Sequence, residues 1–338
     1  MKTYLLIYHR EDNDGLVSAA LFHDYLTTKL NIDKTDIHLL GTNYNEMEQY
    51  SKNNSPKDLH ENYDHIILTD ISFNGKYMKS LFDEYKGDFI WCDHHAPIIN
   101  ESGVLKFSTA NGVRNTTKSA ILCAYEYLYD QFNERYNEKD IPEIFRILSA
   151  WDSWSYEREG YDFEYVKAIN KAYTIRFNLQ LDLIIKHVHN IIKYWEEEHI
   201  NIFDNDEYFE YGEILNKYDD IVNENIIKSS GDCSWKVMFE DEDRGRPLYH
   251  KACAIFHEGA SNSTMFKCLK NKGINHGLVF KHQSNGNWVM SMYNINEDEW
   301  THCGDFLKER YNGGGHKGAA GCTFTEEQFI KLLKSKIL

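Results

Sequence analysis

The sequence predicts a doubly wound parallel-sheet α/β domain, a connecting helix and a smaller C-terminal α/β domain. Three observations carry this. Short apolar runs end abruptly at acids and imidazoles: Tyr4-Leu5-Leu6-Ile7-Tyr8 at His9, His65-Ile66-Ile67-Leu68-Thr69 at Asp70, and Phe89-Ile90-Trp91-Cys92 at Asp93-His94-His95. Segments with helical spacing alternate with these runs, the pattern of strands joined by crossover helices. After Ser229-Ser230-Gly231-Asp232 the character shifts to shorter strand-like pieces.

Taken in order, the first strand leads into a helix over 16–30, where Leu16, Ala19, Ala20, Leu21 and Leu26 recur at helical spacing. Asp36 to Leu40 reads as a weak strand, 45–62 as a polar helix or loop, and Met78 to Tyr85 as a short crossover helix. A helix is expected over 116–132, capped by Thr116 or Thr117, and another over 141–151 with Pro142 in its first turn. The proline-free stretch from Leu179 to about Ile227 is expected to be helical throughout. Strands are expected at 236–239, 251–256, 277–280 and 287–293, and a final helix from Phe306 to Tyr311 before a glycine cluster. The expected domains are 1–185, a helical connector 186–232, and 233–338.

Composition narrows the function classes. At 338 residues two domains are the natural expectation, and 42% hydrophobic content is enough for packed interiors. No apolar stretch approaches the ~20 residues of a membrane helix, and the N-terminal run is too short for a secretory segment. The seven cysteines (92, 123, 233, 253, 268, 303, 322) form no Cys-x-x-Cys pair, so reduced thiols in a cytoplasmic protein are expected. The net charge of −16, from 37 basic and 53 acidic residues, argues against stable grip on long duplex nucleic acid. Part of that negative charge is expected to be a cation site, whose carboxylates repel one another until cations occupy them.

Five segments carry chemistry. His9-x-x-Asp12-x-Asp14-Gly15 can converge its side chains at a strand-to-helix turn, although a solvated loop with a capping aspartate reads the same way. Asp70 follows a strand, where it could bridge two metals or cap the next turn. In Asp93-His94-His95 the two imidazoles diverge, so one can ligate while the other faces substrate and the aspartate orients a ring. Asp152 lies between Trp151 and Trp154, a costly place for a carboxylate unless it is paired or metal-bound, or else turned to the surface. In Gly313-Gly314-Gly315-His316-Lys317, glycine backbone can turn N–H groups to an anion beside positive side chains.

In this order the motifs resemble those of the DHH phosphoesterases, and Gly313-Gly314-Gly315-His316 with Ala319-Ala320-Gly321 resembles the signature of the accompanying DHHA1 domain. The likeness spans almost the whole chain and is strongest to the short branch of nanoRNA-degrading oligoribonucleases and cyclic-dinucleotide phosphodiesterases. It implies two divalent cations, manganese first, with magnesium or cobalt as alternatives. His9 and Asp12 would hold one ion, Asp14, His94 and Asp152 the other, and Asp70 both. His95 would face the scissile phosphate and Asp93 would support the histidines. Gly313, Gly314, Gly315, His316 and Lys317, with Arg114, would contact substrate. The implied reaction is hydrolysis of a short single-stranded oligonucleotide, or a linear or cyclic dinucleotide, to mononucleotides by hydroxide activated between two metals. Family members are monomers or homodimers. One departure stands out: where the family often has Ser-x-Arg before the glycines, this chain has Ser291-Met292-Tyr293, so Tyr293 is a candidate to stack on a base.

Two other readings remain open. A nucleotide phosphomonoesterase acting on a 3′,5′-bisphosphonucleotide, or a pyrophosphatase-like hydrolase, would use the same metal motifs. A non-catalytic nucleotide-binding module has little need for the full ligand set.

Overall fold

The computed structural model describes residues 2–95, 111–130, 141–198, 200–241, 246–259, 261, 264–295, 302–315 and 317–338. The chain divides into two compact units, Met1–Leu215 and Asn216–Leu338.

In the first unit, β1 (Tyr4–His9), β2 (Ile37–Thr42), β3 (His65–Thr69) and β4 (Phe89–Cys92) form a sheet in the order β2-β1-β3-β4, all pairs parallel. Alternation along β1 decides what covers each face. Tyr4, Leu6 and Tyr8 join a core built with α1 (Asn13–Asp24), α5 (Ala120–Asp130), α6 (Glu143–Asp152), α7 (Phe163–Phe177) and α8 (Leu181–Glu198). Leu5 and Ile7 point the other way, onto Met47 of α2 (Tyr44–Asn53), Leu59 of α3 (Pro56–His60) and Met78 and Leu81 of α4 (Gly75–Tyr85). Burial on both faces explains why these strands read as continuous apolar runs rather than as alternating ones. The chain leaves β1 for β2 on one side and returns to β3 on the other. The carboxyl ends of β1 and β3 therefore flank the point where strand order reverses, the place where open α/β sheets bind ligands.

Several elements differ from expectation for identifiable reasons. The helix expected over 116–132 begins at Ala120, because its first free amides are taken by Asp14 and not by Thr116 or Thr117; residue 132 lies outside the described residues. Thr117 instead donates its N–H and hydroxyl to Asn115. Pro142 sits at the cap of α6, one step before its first turn. The segment 45–62 forms two helices, the second closed by a reciprocal Ser55–Asp58 capping box. The stretch from Leu179 to Ile227 is two helices, α8 and α9 (Asn205–Ser230), and α9 carries the division between the units. Between them Phe203 is buried and Asp204 accepts the Glu207 amide, starting α9 afresh. Helix α7 was not expected at all.

The second unit is a mixed sheet in the order β5-β6-β7-β8-β10-β9, from β5 (Asp232–Asp241), β6 (Arg246–Phe256), β7 (His276–His282), β8 (Trp288–Asn294), β9 (Gly314–Gly315) and β10 (Ala319–Phe324). Among the described residues of this sheet only β6 and β7 pair as parallel strands. Trp235, Phe280, Met290 and Met292 form its core, covered by α10 (Cys303–Tyr311) and α11 (Glu326–Ser335). Phe306 to Tyr311 is therefore not the last helix: α11 follows, with Phe329 stacked on Trp288 at 4.0 Å. Among the described residues no helix is long and apolar enough to cross a membrane.

Candidate metal centre

The carboxyl edge of the parallel sheet gathers side chains from five places. β1 ends at His9, and its turn into α1 places Asp12 as the helix cap, accepting the Gly15 amide at 2.9 Å. Gly15 must lack a side chain, since a Cβ there would stand 2.1 Å from the His9 carbonyl oxygen. Asp14, in the first turn of α1, accepts the amides of Ala120 (2.8 Å) and Ile121 (2.9 Å) and so ties α5 to the site. Asp70 follows β3 with a left-handed φ of 57°, a conformation aspartate tolerates better than most residues. Asp93, His94 and His95 follow β4, and Asp152 closes α6.

These side chains meet. His9 Nδ1 lies 2.8 Å from Asp12 Oδ2 and 3.6 Å from Asp70 Oδ2. His94 Nε2 lies 3.1 Å from Asp152 Oδ2, 3.3 Å from Asp70 Oδ1 and 3.6 Å from Asp14 Oδ2. Three ligand triads result: His9–Asp12–Asp70, Asp14–His94–Asp152 and Asp70–His94–His95. Asp70 Oδ1 and His94 Nε2 are buried with no hydrogen-bond partner. Buried polar atoms are ordinarily satisfied. Two such atoms facing each other inside an acid-rich cluster fit a cation between them, and the mixed carboxylate–imidazole donors suit a divalent metal.

Asp93 plays a different part. It is fully buried, and its Oδ1 accepts the amides of His94 (2.7 Å) and His95 (3.2 Å) and faces His95 Nδ1 at 2.8 Å. Its Oδ2 accepts the Trp91 indole N–H at 3.1 Å. It therefore positions the two imidazoles. Burial disfavours its charge, yet the bond from His95 and the nearby imidazoles hold its pKa below the usual carboxylate range.

Electrostatics across the cluster are opposed. Burial, then the charges of Asp70 and Asp152, push Asp14 well above the ordinary range; burial, then Asp12, raise Asp70. Burial pulls the imidazoles down, but the neighbouring carboxylates of Asp12 and Asp70 prevail at His9, and those of Asp152, Asp70 and Asp14 prevail at His94. Their pKa values rise to about 10 and about 12. At pH 7, below both values, each ring carries a proton that a cation must displace. Since these folded-state values lie above 6.5, the pairing stabilises the cation-free fold fully at acidic pH and fades as pH rises through about 10. Metal affinity should therefore increase from pH 7 to 9. Calorimetry with Mn²⁺ in buffers of different ionisation enthalpy should detect release of about one proton or more per chain; binding without proton release would contradict the assignment.

Of the expected substrate contacts, Arg114 forms a backbone bridge with Asp93 in the first unit, and the glycine cluster belongs to the second. Arg114 Nη1 donates to the backbone carbonyls of Trp91 (2.9 Å) and Asn111 (3.1 Å), and its guanidinium lies 5.5 Å from the Trp91 ring centroid. In the second unit Gly314 and Gly315 pair with Gly321 and Ala320 of β10. A Cβ on Gly313 would stand 2.4 Å from the Gly321 carbonyl oxygen, so close strand approach explains that glycine. Lys317 is exposed, its carbonyl accepting from the Cys303 amide and Asn294 Nδ2; His316 lies outside the described residues. Tyr293 is buried, its hydroxyl 2.8 Å from Ser261 Oγ, so it is packed in the core and not offered to a base.

Of two further neighbours of the cluster, Tyr44 has no place in the sequence reading and Trp154 enters it only as a flank of Asp152. Tyr44, the first residue of α2, sets its ring against His95 at 5.7 Å and His9 at 6.0 Å. Trp154, with φ 52° and 51% exposure, stacks with Trp151 and Phe163 beside Asp152. Left-handed backbone at a bulky residue was the missing signal for Trp154, and sequence does not display it.

Fold and site together define a doubly wound α/β protein whose strand ends assemble an acid–imidazole centre suited to divalent cations. No family model matches the chain, and no curated protein matches it. Among solved structures, 29 chains match. A pGpG-specific phosphodiesterase, PggH, from Vibrio cholerae is 15% identical, with a TM-score of 0.49 over 99% of this chain and 97% of its own. An exonuclease RecJ bound to manganese is 13% identical, with a TM-score of 0.47 over 99% and 89%. An exopolyphosphatase-related protein from Bacteroides fragilis is 14% identical, with a TM-score of 0.45 over 99% and 91%.

Proposed function

We propose that this chain is a metal-dependent phosphoesterase of the DHH/DHHA1 kind, hydrolysing short single-stranded oligonucleotides or linear or cyclic dinucleotides to mononucleotides. The observation that carries the reading is the pair of triads, His9–Asp12–Asp70 and Asp14–His94–Asp152, drawn together by the orphaned atoms of Asp70 and His94. Asp70 is the natural shared ligand, since its Oδ2 faces His9 and its Oδ1 faces His94. Two divalent ions, manganese by donor type, would activate water and neutralise charge on the phosphoryl oxygens when bound.

The protein's own groups do the rest. Asp14 is held by two backbone amides and cannot swing away from its place. Asp93 engages His95 through Nδ1, which leaves Nε2 to donate a proton to the leaving oxygen. Burial pulls the His95 pKa down, but the bond to Asp93 and the charges of Asp93 and Asp70 together raise it above the ordinary imidazole value, which favours the proton-bearing ring. Exposed Lys317 beside Gly314 and Gly315, with His316, is proposed to meet a phosphate of the substrate.

Incubation with Mn²⁺ and a panel of dinucleotides, short single strands, a 3′,5′-bisphosphonucleotide and pyrophosphate tests this. Metal-dependent release of mononucleotides from the diesters is the expected result, with chelator abolishing it. Turnover of the bisphosphate or pyrophosphate alone would move the reading to a phosphomonoesterase or pyrophosphatase. Tight nucleotide binding without any turnover would make the chain a binding module.

A further inference from the structure

Tyr44 stands at the carboxyl end of β2, the strand beside β1, so it faces the same crevice as His9. Its position is fixed locally. Asn43 caps α2 by accepting the Glu46 amide at 3.1 Å and reaches back to Glu11 at 2.8 Å, which anchors the first helical residue. The ring meets His95 edge-on at 76° and His9 at 47°. Tyr44 belongs to neither hydrophobic layer of the sheet and is 44% exposed. Packing therefore does not account for it.

The two rings that Tyr44 meets are themselves paired with Asp12 and Asp93 of the cluster. Among the described residues the Tyr44 hydroxyl makes no hydrogen bond. With an ordinary pKa of about 10, a phenol is a neutral donor at pH 7. Such a donor can approach a phosphate oxygen without adding negative charge and without competing strongly for a cation.

We propose that Tyr44 is a further catalytic residue of this centre, its hydroxyl donating a hydrogen bond to an anionic oxygen of the phosphoryl group under attack. The inference rests on the phosphoesterase reading above. A donor aimed at charge that grows in the transition state lowers the barrier more than it tightens ground-state binding.

Tyr44→Phe keeps the ring against His9 and His95 and removes only the donor. Two quantities are measured with the Mn²⁺-loaded full chain: steady-state kinetics on the best diester, and calorimetric affinity for inorganic phosphate. Mn²⁺ affinity serves as the control for an intact centre. The expected result is kcat lower by about 10- to 100-fold, KM and phosphate affinity each weakened by only about two- to threefold, and Mn²⁺ affinity preserved. Wild-type kcat and wild-type phosphate affinity in the variant would overturn the proposal. If the unmutated chain hydrolyses no diester yet its phosphate affinity still depends on the hydroxyl, the phosphodiesterase reading fails while Tyr44 stands as the anion contact. If neither activity nor a hydroxyl-dependent affinity is found, both fail.

Discussion

Asp70→Asn should abolish metal-dependent turnover, by more than about a thousandfold, while raising the melting temperature of the cation-free protein. The two effects share one cause. Asp70 Oδ2 faces His9 at 3.6 Å and Oδ1 faces His94 at 3.3 Å, so one carboxylate serves both triads. Without cations this arrangement is unfavourable: burial, and then Asp12, already push its pKa up. An amide of the same shape removes the repulsion but donates poorly to a hard cation. Asparagine also accepts the left-handed backbone at this position, so the loss cannot be assigned to strain. Thermal melts with and without Mn²⁺ check the trade: the variant should melt higher than wild type without metal and lose the metal-induced gain. A variant that keeps both turnover and the Mn²⁺ shift would remove Asp70 from the centre.

The second large effect is expected at Gly15. A methyl group there would stand 2.1 Å from the His9 carbonyl oxygen and 2.8 Å from the His9 Cβ. The nearest obstacle is backbone, so relief requires β1 or α1 to move. Overpacking of this kind costs about 3 kcal/mol or more, and the movement displaces His9 and Asp12 together. Gly15→Ala should therefore lose stability and Mn²⁺ affinity in parallel. Gly87→Ala is the matched control, since nothing lies within 4 Å of its added Cβ, and surface changes of that kind usually stay within about 0.5 kcal/mol. Chemical denaturation and metal titration on the pair separate a local steric failure from a general intolerance of alanine.

Much of the architecture could be read from the chain because burial on both faces leaves a plain mark. The runs 4–8, 65–69 and 89–92 are apolar without alternation, and their polar ends fall at the same edge of a parallel sheet. The spacing of acids and imidazoles along those ends was legible for the same reason. Asp14 as an anchor for α5 was not, since the amides it binds come from residues 120 and 121, more than 100 positions away. Helix α7 was overlooked although Asp162 caps it and Val166, Ile169, Ala172 and Tyr173 fall at helical spacing; Asn170, Lys171 and Thr174 interrupt the apolar pattern. Strand β10 hides among small residues, and only its pairing with Met290 and Met292 of β8 gives it strand character. By contrast, α11 carried a legible start, Thr325 and Gln328, which form a capping box. Tyr44 is one of 23 tyrosines, and nothing in its neighbourhood marks it until β2 is placed beside β1.

The central claim is that His9, Asp12, Asp14, Asp70, His94 and Asp152 together hold a pair of cations. A crystal soaked in Mn²⁺ and measured at the manganese absorption edge tests it directly. The account predicts two anomalous peaks about 3.5–4 Å apart, with Asp70 touching both. Peaks lying away from these side chains, or no peak among them at saturating metal, would contradict it.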